Sequence, residues 1–312
     1  MAKLTVSLPD SRHLAALQEE FSGQNIDFLV WDMRSAPPAE KIDLVVPPYL
    51  DSAKTLARLE GVETQLVQWQ SIGYDGVSDY LPSGVRFANA ASVHETATAE
   101  LALGLIIAAQ RDFKRFFQQQ AEGIWRGGTT RALADRRVTI IGAGGVGRAI
   151  AERLVPFEVQ ITMLANSARD LELTGGLTVS VREIADLHAM LAETDILVLA
   201  VPLTPDTAGL IGAVELAQLP DDALLVNVAR GRVVDTAALV AEVASGRLRT
   251  ANDVVDPEPL PEEHSLWQQD GAIQTPHTGG DSDAMHPRMF ALLVRQIRHL
   301  MRGSTPENLV KP

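Results

Sequence analysis

The sequence predicts an α/β fold with two doubly wound parallel sheets, one domain being inserted into the other. Three observations carry that prediction. Short β-branched and apolar runs alternate with stretches of helical spacing along the whole chain, the pattern of parallel sheets covered on both faces. A glycine-rich turn, "IIGAGGVGR", begins only at Ile140, so a segment of domain size precedes it. A helical stretch from Pro287 to Arg302 follows the last strand candidate and is expected to pack back on the first part. The 312 residues suffice for roughly two domains.

In the first part, Leu4–Val6, Phe28–Val30, Leu44–Val46 and Leu66–Trp69 read as strands, with helical spacing at Ser11–Phe21 and Ser52–Glu60. A single long helix is expected from Glu95 to about Gln120. Its first half is rich in Ala and Leu, and its second half carries Arg111, Lys114 and Arg115. Core, linker and dimer surface are all open to it. Beyond it, strands are expected at 138–141, 159–164, 196–200, 223–228, 250–254 and 272–275, with helices filling most gaps. The expected domains are 1–96 with 281–312, and 97–280.

Composition narrows the function classes. The chain is 46% hydrophobic and 21% charged, a globular balance. A formal net charge of -13 argues against nucleic acid as a partner, because that binding rests on phosphate neutralisation by Lys and Arg. An anionic small molecule stays open, since screening limits distant charges to about 8–10 Å of reach. The absence of cysteine removes disulfides, zinc–thiolate sites and thiol nucleophiles, and no metal site is expected. The N-terminal "MAKLTVSLPDSRH" has no signal-peptide pattern. The apolar run Leu101–Ala109 is far shorter than the ~20 residues a membrane span needs. A cytoplasmic protein without a membrane partner is therefore expected.

The glycine-rich turn is the first functional signal. Val138–Ile141 is apolar and β-branched, as a buried parallel strand should be. Gly142 suits the tight turn, Gly144 a close backbone approach to phosphates, and Gly147 close helix–strand packing. The amides of Gly145, Val146 and Gly147, at the helix start, would face a pyrophosphate. A dinucleotide is the expected ligand. A site for NAD usually has an acid about 20 residues further on. Here the second strand ends in Ala165, Asn166 and Ser167, with Arg169 close behind. Neutral donors and a cation suit a phosphorylated ribose, so NADP is favoured over NAD. The bland alternative makes Arg169 a solvated loop charge in a pocket that takes either.

Ligands of open parallel sheets sit outside the carboxyl ends of the strands. Those ends carry Val201-Pro202 and Thr207, then Val228-Ala229-Arg230, then Asp253 with Asp256 and Glu258, then His277 and Gly279. Singly each has a plain explanation: a surface arginine, a solvated acidic loop, a structural histidine, a local cap. Their convergence on one edge favours a site.

On these stretches the chain resembles the D-isomer-specific 2-hydroxyacid dehydrogenase family, which includes phosphoglycerate, glyoxylate and hydroxypyruvate reducing enzymes. The residues that carry the resemblance are Gly142 to Gly147, "TATAELALGL", "VPLTPDTAGLI", "LLVNVARGRVVDTAAL", "SGRL", "DVVDPEPLPEEHSLW" and "TPHTGG". "SIGYDGV" resembles the family's substrate loop. The resemblance implies a Rossmann nucleotide domain inserted into a flavodoxin-like substrate domain. It implies that Arg230 is the catalytic arginine, Glu258 the partner of the histidine, and His277 the acid/base. Thr98, Val201, Pro202, Thr207, Val228, Ala229, Asp253 and Gly279 would lie against the cofactor. Backbone around Ile72 and Gly73, together with Arg230, would meet the substrate.

The implied reaction is reduction of a small 2-keto acid to the D-2-hydroxy acid by NAD(P)H, with a homodimer as the family habit. Two departures stand out. The strand-end acid is absent, and Asp281 and Asp283 make the segment after "TPHTGG" unusually acidic. Two other readings keep the fold: a dinucleotide-binding scaffold or redox-sensing regulator, and a dehydrogenase of another small anion.

Overall fold

The computed structural model describes residues 3–312. The chain divides into two compact units. The terminal unit joins residues 3–94 to 283–312, and the inserted unit is Glu95–Ser282.

In chain order the terminal unit begins with β1 (Leu4–Leu8), α1 (Leu14–Glu20), β2 (Ile26–Val30), β3 (Leu44–Val45), β4 (Leu66–Gln68) and β5 (Arg86–Ala88). The inserted unit follows with α2 (Glu95–Gln110), α3 (Phe113–Ala121), β6 (Arg137–Ile141), α4 (Gly145–Leu154), β7 (Gln160–Ala165), β8 (Arg169–Glu172) and β9 (Thr178–Glu183). It continues with α5 (Leu187–Leu191), β10 (Ile196–Leu199), α6 (Ala213–Gln218), β11 (Leu224–Asn227), α7 (Thr236–Ala244), β12 (Arg249–Asn252) and β13 (Ala272–Gln274). The chain then returns to the terminal unit with α8 (Met285–Arg302) and β14 (Leu309–Val310).

The terminal sheet runs β14-β5-β4-β3-β1-β2, parallel except for β14. Its parallel part has the 2-1-3-4-5 order of a flavodoxin-like sheet. Alternate residues serve opposite faces. Leu4, Val6, Leu8, Leu66 and Ala88 join one cluster with Met289, Leu292, Leu293 and Ile297 of α8. Val45, Val67 and Phe87 join the other with Trp31, Trp69 and Leu56.

The inserted sheet runs β13-β12-β11-β10-β6-β7-β9-β8, again parallel except at its β8 edge. In β10, Ile196 and Val198 enter the core shared with α2 and α4, while Leu197 and Leu199 enter the core on the other face. Every residue of β10 and β11 is buried, which is why Ile196–Leu199 and Leu224–Val226 read as unbroken apolar runs. Burying one such side chain contributes roughly 1.5–3 kcal/mol.

Three sequence expectations need correction. The long helix breaks after Gln110, because Asp112 takes a left-handed conformation (φ 53) and the chain restarts as α3. Asp tolerates that conformation better than most residues. Lys114 then draws α3 onto the loop before β13 by donating to the carbonyls of Trp267 (3.2 Å), Gln269 (2.6 Å) and Ala272 (3.0 Å). The stretch Ser52–Glu60 forms a 3₁₀ helix, Ala53–Leu59, capped by the Ser52 side chain. The inserted sheet has eight strands rather than six, because an antiparallel hairpin, β8–β9, lies between β7 and α5. Short β5 and β14 also complete the terminal sheet. Among the described residues no helix is long and apolar enough to cross a membrane.

Candidate active site

The turn between β6 and α4 is shaped by its glycines. Gly142 has φ +111, and a Cβ there would strike the carbonyl of Ala200. A Cβ on Gly147 would strike the carbonyl of Gly142, so helix and strand approach as closely as backbone permits. A Cβ on Gly144 would meet nothing within 4 Å, which leaves that face of the turn open to a ligand. The first helical bond, Arg148 N to Gly144 O (2.9 Å), leaves the amides of Gly145, Val146 and Gly147 ahead of it. That is an anion cradle of the kind a pyrophosphate fits.

At the end of β7, Asn166 and Ser167 are exposed. Arg169 is the first residue of β8, not a loop residue, and its guanidinium folds back over the turn. It donates to the carbonyls of Ala143 and Ser167, both at 3.3 Å. A cation thus stands beside the glycine turn on the side where β7 ends. On the next loop, Thr207 Oγ1 donates to Pro202 O (2.6 Å) and accepts from Thr204 N (2.8 Å). Val201 packs its Cγ1 beside Gly142. Val228 and Ala229 are buried, one in each core face.

The titratable groups converge through three loops. Arg230 follows β11, and its Nη1 donates to Ala229 O (2.7 Å). The next residue must be glycine, because a Cβ on Gly231 would run into the carbonyl of Val255. That contact sets the Arg230 turn against the loop leaving β12. The same loop carries Glu258, whose Oε1 lies 2.6 Å from Nδ1 of His277. Asp256 and Glu262 do not make this contact. A carboxylate only accepts, so Nδ1–H is the donor, and Nε2 is left to face other groups. His277 is itself left-handed (φ 51), with its N–H donated to Asp253 O (2.8 Å). Both partners of the pair are 39% exposed, which leaves them open to a small molecule. Gly279 packs between Asp253 Oδ2 and Thr98 Cγ2.

In the terminal unit a loop follows β4. Trp69 Nε1 donates to Gly73 O (3.1 Å), and Asn89 Nδ2 donates to Ile72 O (2.9 Å). Both carbonyls are therefore engaged by protein donors. Nearby, buried His94 lies 2.6 Å from Gln70 O and stacks on Tyr49.

Two residues of the inserted unit escaped the sequence reading. Asn227 is a buried amide ending β11, and its only signal is one polar letter inside "LLVNVA". Glu95 packs against Gly145, where a Cβ would come within 2.9 Å of its Oε1. No sequence pattern marks it.

Residues 103–279 match the family described as D-isomer specific 2-hydroxyacid dehydrogenase, NAD binding domain. The chain is similar to a glyoxylate reductase of Pyrococcus horikoshii, with 31% identity over 261 residues, 79% of this chain and 76% of that protein. It is also similar to the crystal structure of a D-isomer specific 2-hydroxyacid dehydrogenase from Xanthobacter autotrophicus Py2 in complex with NADPH and MES. There the identity is 28% and the TM-score 0.83, over 100% of this chain and 99% of that one. An NADPH-dependent glyoxylate/hydroxypyruvate reductase from Sinorhizobium meliloti, in complex with NADP and sulfate, is 25% identical. Its TM-score is 0.79, over 99% of this chain and 98% of that one.

Proposed function

The chain belongs to the D-isomer-specific 2-hydroxyacid dehydrogenase family, and on that premise we propose that it reduces a glyoxylate- or hydroxypyruvate-like 2-keto acid to the D-2-hydroxy acid with NADPH. The family makes it an NAD(P)-dependent oxidoreductase of 2-keto acids. The single observation that carries the finer reading is the Glu258–His277 pair, 2.6 Å apart at the strand edge that also bears Arg230.

The glycine cradle fits a dinucleotide, because Gly144 leaves open space before the amides that start α4. Gly142 to Gly147 would hold the pyrophosphate, with Thr98, Val201, Pro202, Thr207, Val228, Ala229 and Gly279 around the rest. When bound, the reduced nicotinamide supplies the hydride. Arg230 holds the substrate carboxylate and polarises its carbonyl, since a guanidinium offers planar paired donors that lysine lacks. His277 delivers the proton to the carbonyl oxygen from Nε2. Glu258 fixes the ring through Nδ1 and stabilises the imidazolium. In the terminal unit, the amides of Ile72 and Gly73 are suited to hold an anion.

NADPH is favoured because Arg169 lies at the turn while Ala165, Asn166 and Ser167 bring no carboxylate. A homodimer is part of the reading, supported by Phe117 and Trp125, which are left 64% and 101% exposed on and after α3.

The test is a steady-state screen of glyoxylate, hydroxypyruvate, pyruvate and bulkier keto acids with each cofactor, followed at the reduced-nicotinamide absorbance band. The expected result is fastest oxidation of NADPH by one of the two smallest hydroxylated or aldehydic acids. No oxidation with any keto acid would leave a binding scaffold in its place. Equal efficiency with NADH would overturn the cofactor preference alone.

A further inference from the structure

We propose that His94 is a positioning residue: one hydrogen bond from its ring fixes the loop 70–73 of the terminal unit in the conformation that offers its amides to a small carboxylate. The inference rests on the reading above that the amides of Ile72 and Gly73 hold an anion. No step of the proposed reaction uses this imidazole.

His94 lies between β5 and α2 and is 4% exposed. Its Nε2 stands 2.6 Å from the carbonyl oxygen of Gln70. A carbonyl only accepts, so Nε2 carries the proton and donates it. The ring stacks on Tyr49, with the two planes 8° apart and the centroids 5.6 Å apart. Gln70 is held through its side chain as well, since its Nε2 donates to Pro47 O at 2.7 Å. Pro47 and Tyr49 follow β3, Gln70 follows β4 and His94 follows β5. The imidazole therefore joins the ends of three neighbouring strands of the terminal sheet.

The Gln70 carbonyl is the first of four in a row that end on protein donors. Ser71 O accepts from Ala90 N (3.0 Å), Ile72 O from Asn89 Nδ2 (2.9 Å) and Gly73 O from Trp69 Nε1 (3.1 Å). Across a trans peptide bond the N–H points away from the C=O. The amides of Ser71, Ile72 and Gly73 therefore face away from the groups that hold the carbonyls before them. Among the described residues none of these three amides donates to a protein acceptor. All three residues are only partly buried. Successive backbone N–H groups left open in this way form a concavity that binds anions.

His94 has a distinct part among the four donors. Trp69 and Asn89 directly follow β4 and β5, and the pairing of Gln68 with Ala88 places them. His94 reaches Gln70 from the segment beyond, where no strand pairing places it. Gln70 is 8% exposed, so without the ring its carbonyl would be buried with no donor. A buried carbonyl in that state is costly, and the peptide would turn to find a partner. The amide of Ser71 belongs to the same peptide and would turn with it, and the next two amides follow in the chain. A phenylalanine in place of His94 would fill the space and stack on Tyr49 but donate nothing. A glutamine would lose the stack but keep an N–H donor at similar reach.

The test uses the full chain with NADPH and the best keto acid of the screen, and oxalate as the carboxylate probe. His94→Phe should raise the KM for the keto acid by about tenfold, near the upper end of what one neutral hydrogen bond contributes. Its kcat and its dissociation constant for NADPH should change little. His94→Gln should recover most of the loss. An unchanged KM in His94→Phe, or an equal rise in His94→Gln, would overturn the proposal. Should the wild type reduce no keto acid, the reading of the activity fails separately, and the loop is tested by NMR. Oxalate should shift the amide signals of Ile72 and Gly73 in the wild type, and do so about tenfold more weakly in His94→Phe. Equal binding by the two proteins would overturn the part given to His94. Amides that oxalate leaves unmoved in the wild type would overturn the anion site and that part together. If His94→Phe does not fold, the wild type decides. The Nε2–H signal of His94, assigned by its loss in His94→Gln, should move as oxalate binds, and a fixed signal would overturn the proposal.

Discussion

His277 is held by three separate contacts, and each leaves its Nε2 untouched. Its amide is fixed by Asp253, its Nδ1 by Glu258, and its backbone angle by the loop that follows. Proton delivery in the proposed reaction is then a matter of one atom, Nε2. His277→Ala should lower kcat by roughly 10²–10⁴-fold, the range general acid catalysis contributes. NADPH should still bind, because the glycine cradle lies on the far side of β10 and β11 in the sheet order. Glu258→Gln keeps a hydrogen-bond acceptor for Nδ1 and loses only the charge, so a smaller loss is expected, on the order of tenfold. Rapid-mixing turnover and fluorescence titration of both variants check this. A His277→Ala enzyme with near-normal kcat would remove the imidazole from the chemistry.

At the scale of elements, the β8–β9 hairpin, which carries Arg169, is the part least visible in the sequence. Its strands, "RDLE" and "TVSVRE", lie at the sheet edge; β8 buries no residue fully and β9 only Val179 and Val181, so the unbroken apolar run of a central parallel strand is missing. The alternation of Val179 and Val181 with polar neighbours was its only signal, and it is a half-exposed strand's signal. The central strands β6, β10 and β11 were legible because both their faces are buried. Arg230, Glu258 and His277 were legible as letters at strand ends, whereas Asn227 reads as one polar residue among apolar ones until its bonds to Ala229 N and Arg230 O are seen. The break at Asp112 was hidden because helical spacing continues on either side of it.

The hairpin's part in the proposed function is Arg169. Arg169→Ala removes the cation above the turn, and a charged hydrogen bond of about 1.5–3 kcal/mol converts to a roughly 10–100-fold weaker binding of NADPH. NADH should be little affected. Parallel titrations with the two nucleotides test it, and an equal loss for both would place Arg169 on the shared pyrophosphate instead.

The packing of α1 on α8 carries a pH dependence. Burial pushes the His13 pKa below its ordinary 6.5, and His286 adds to the effect. Arg12 pushes the same way and Asp10 opposes. The ring packs 6.1 Å from both His286 and Phe290 of α8. Because the folded value is depressed, the unfolded chain binds the proton more readily. His13 therefore contributes stability that is complete above pH 6.5 and is lost as pH falls through its lowered folded value. His13→Phe keeps the ring and removes the titration. Melting temperatures at about pH 7.5 and about pH 5.5, on either side of the ordinary histidine range, should fall further in the wild type than in His13→Phe. Equal falls would assign the acid sensitivity elsewhere.

At the scale of the whole chain, the two units differ in how sequence supplies their cores. The inserted unit is continuous, and both of its clusters draw only on its own residues. The terminal unit is discontinuous, and one of its clusters needs Met285, Met289, Leu292, Leu293, Val294 and Ile297 from α8. At roughly 1.5–3 kcal/mol for each large buried side chain, that helix contributes on the order of 10 kcal/mol. The sum is comparable to the whole stability of an ordinary domain. A chain ending at Ser282 should therefore lose the terminal unit's fold while the inserted unit keeps its sheet and its glycine cradle. NADPH at about 100 times its dissociation constant stabilises a binding-competent fold by about 2.7 kcal/mol. For a unit of this size each kcal/mol moves the melting temperature by about 2–4 °C. The truncated chain should thus show one cooperative transition that NADPH raises by roughly 5–10 °C, and it should reduce no keto acid. If NADPH leaves that transition in place, nucleotide binding depends on the terminal segments, and the inserted unit is not the self-sufficient holder its core implies.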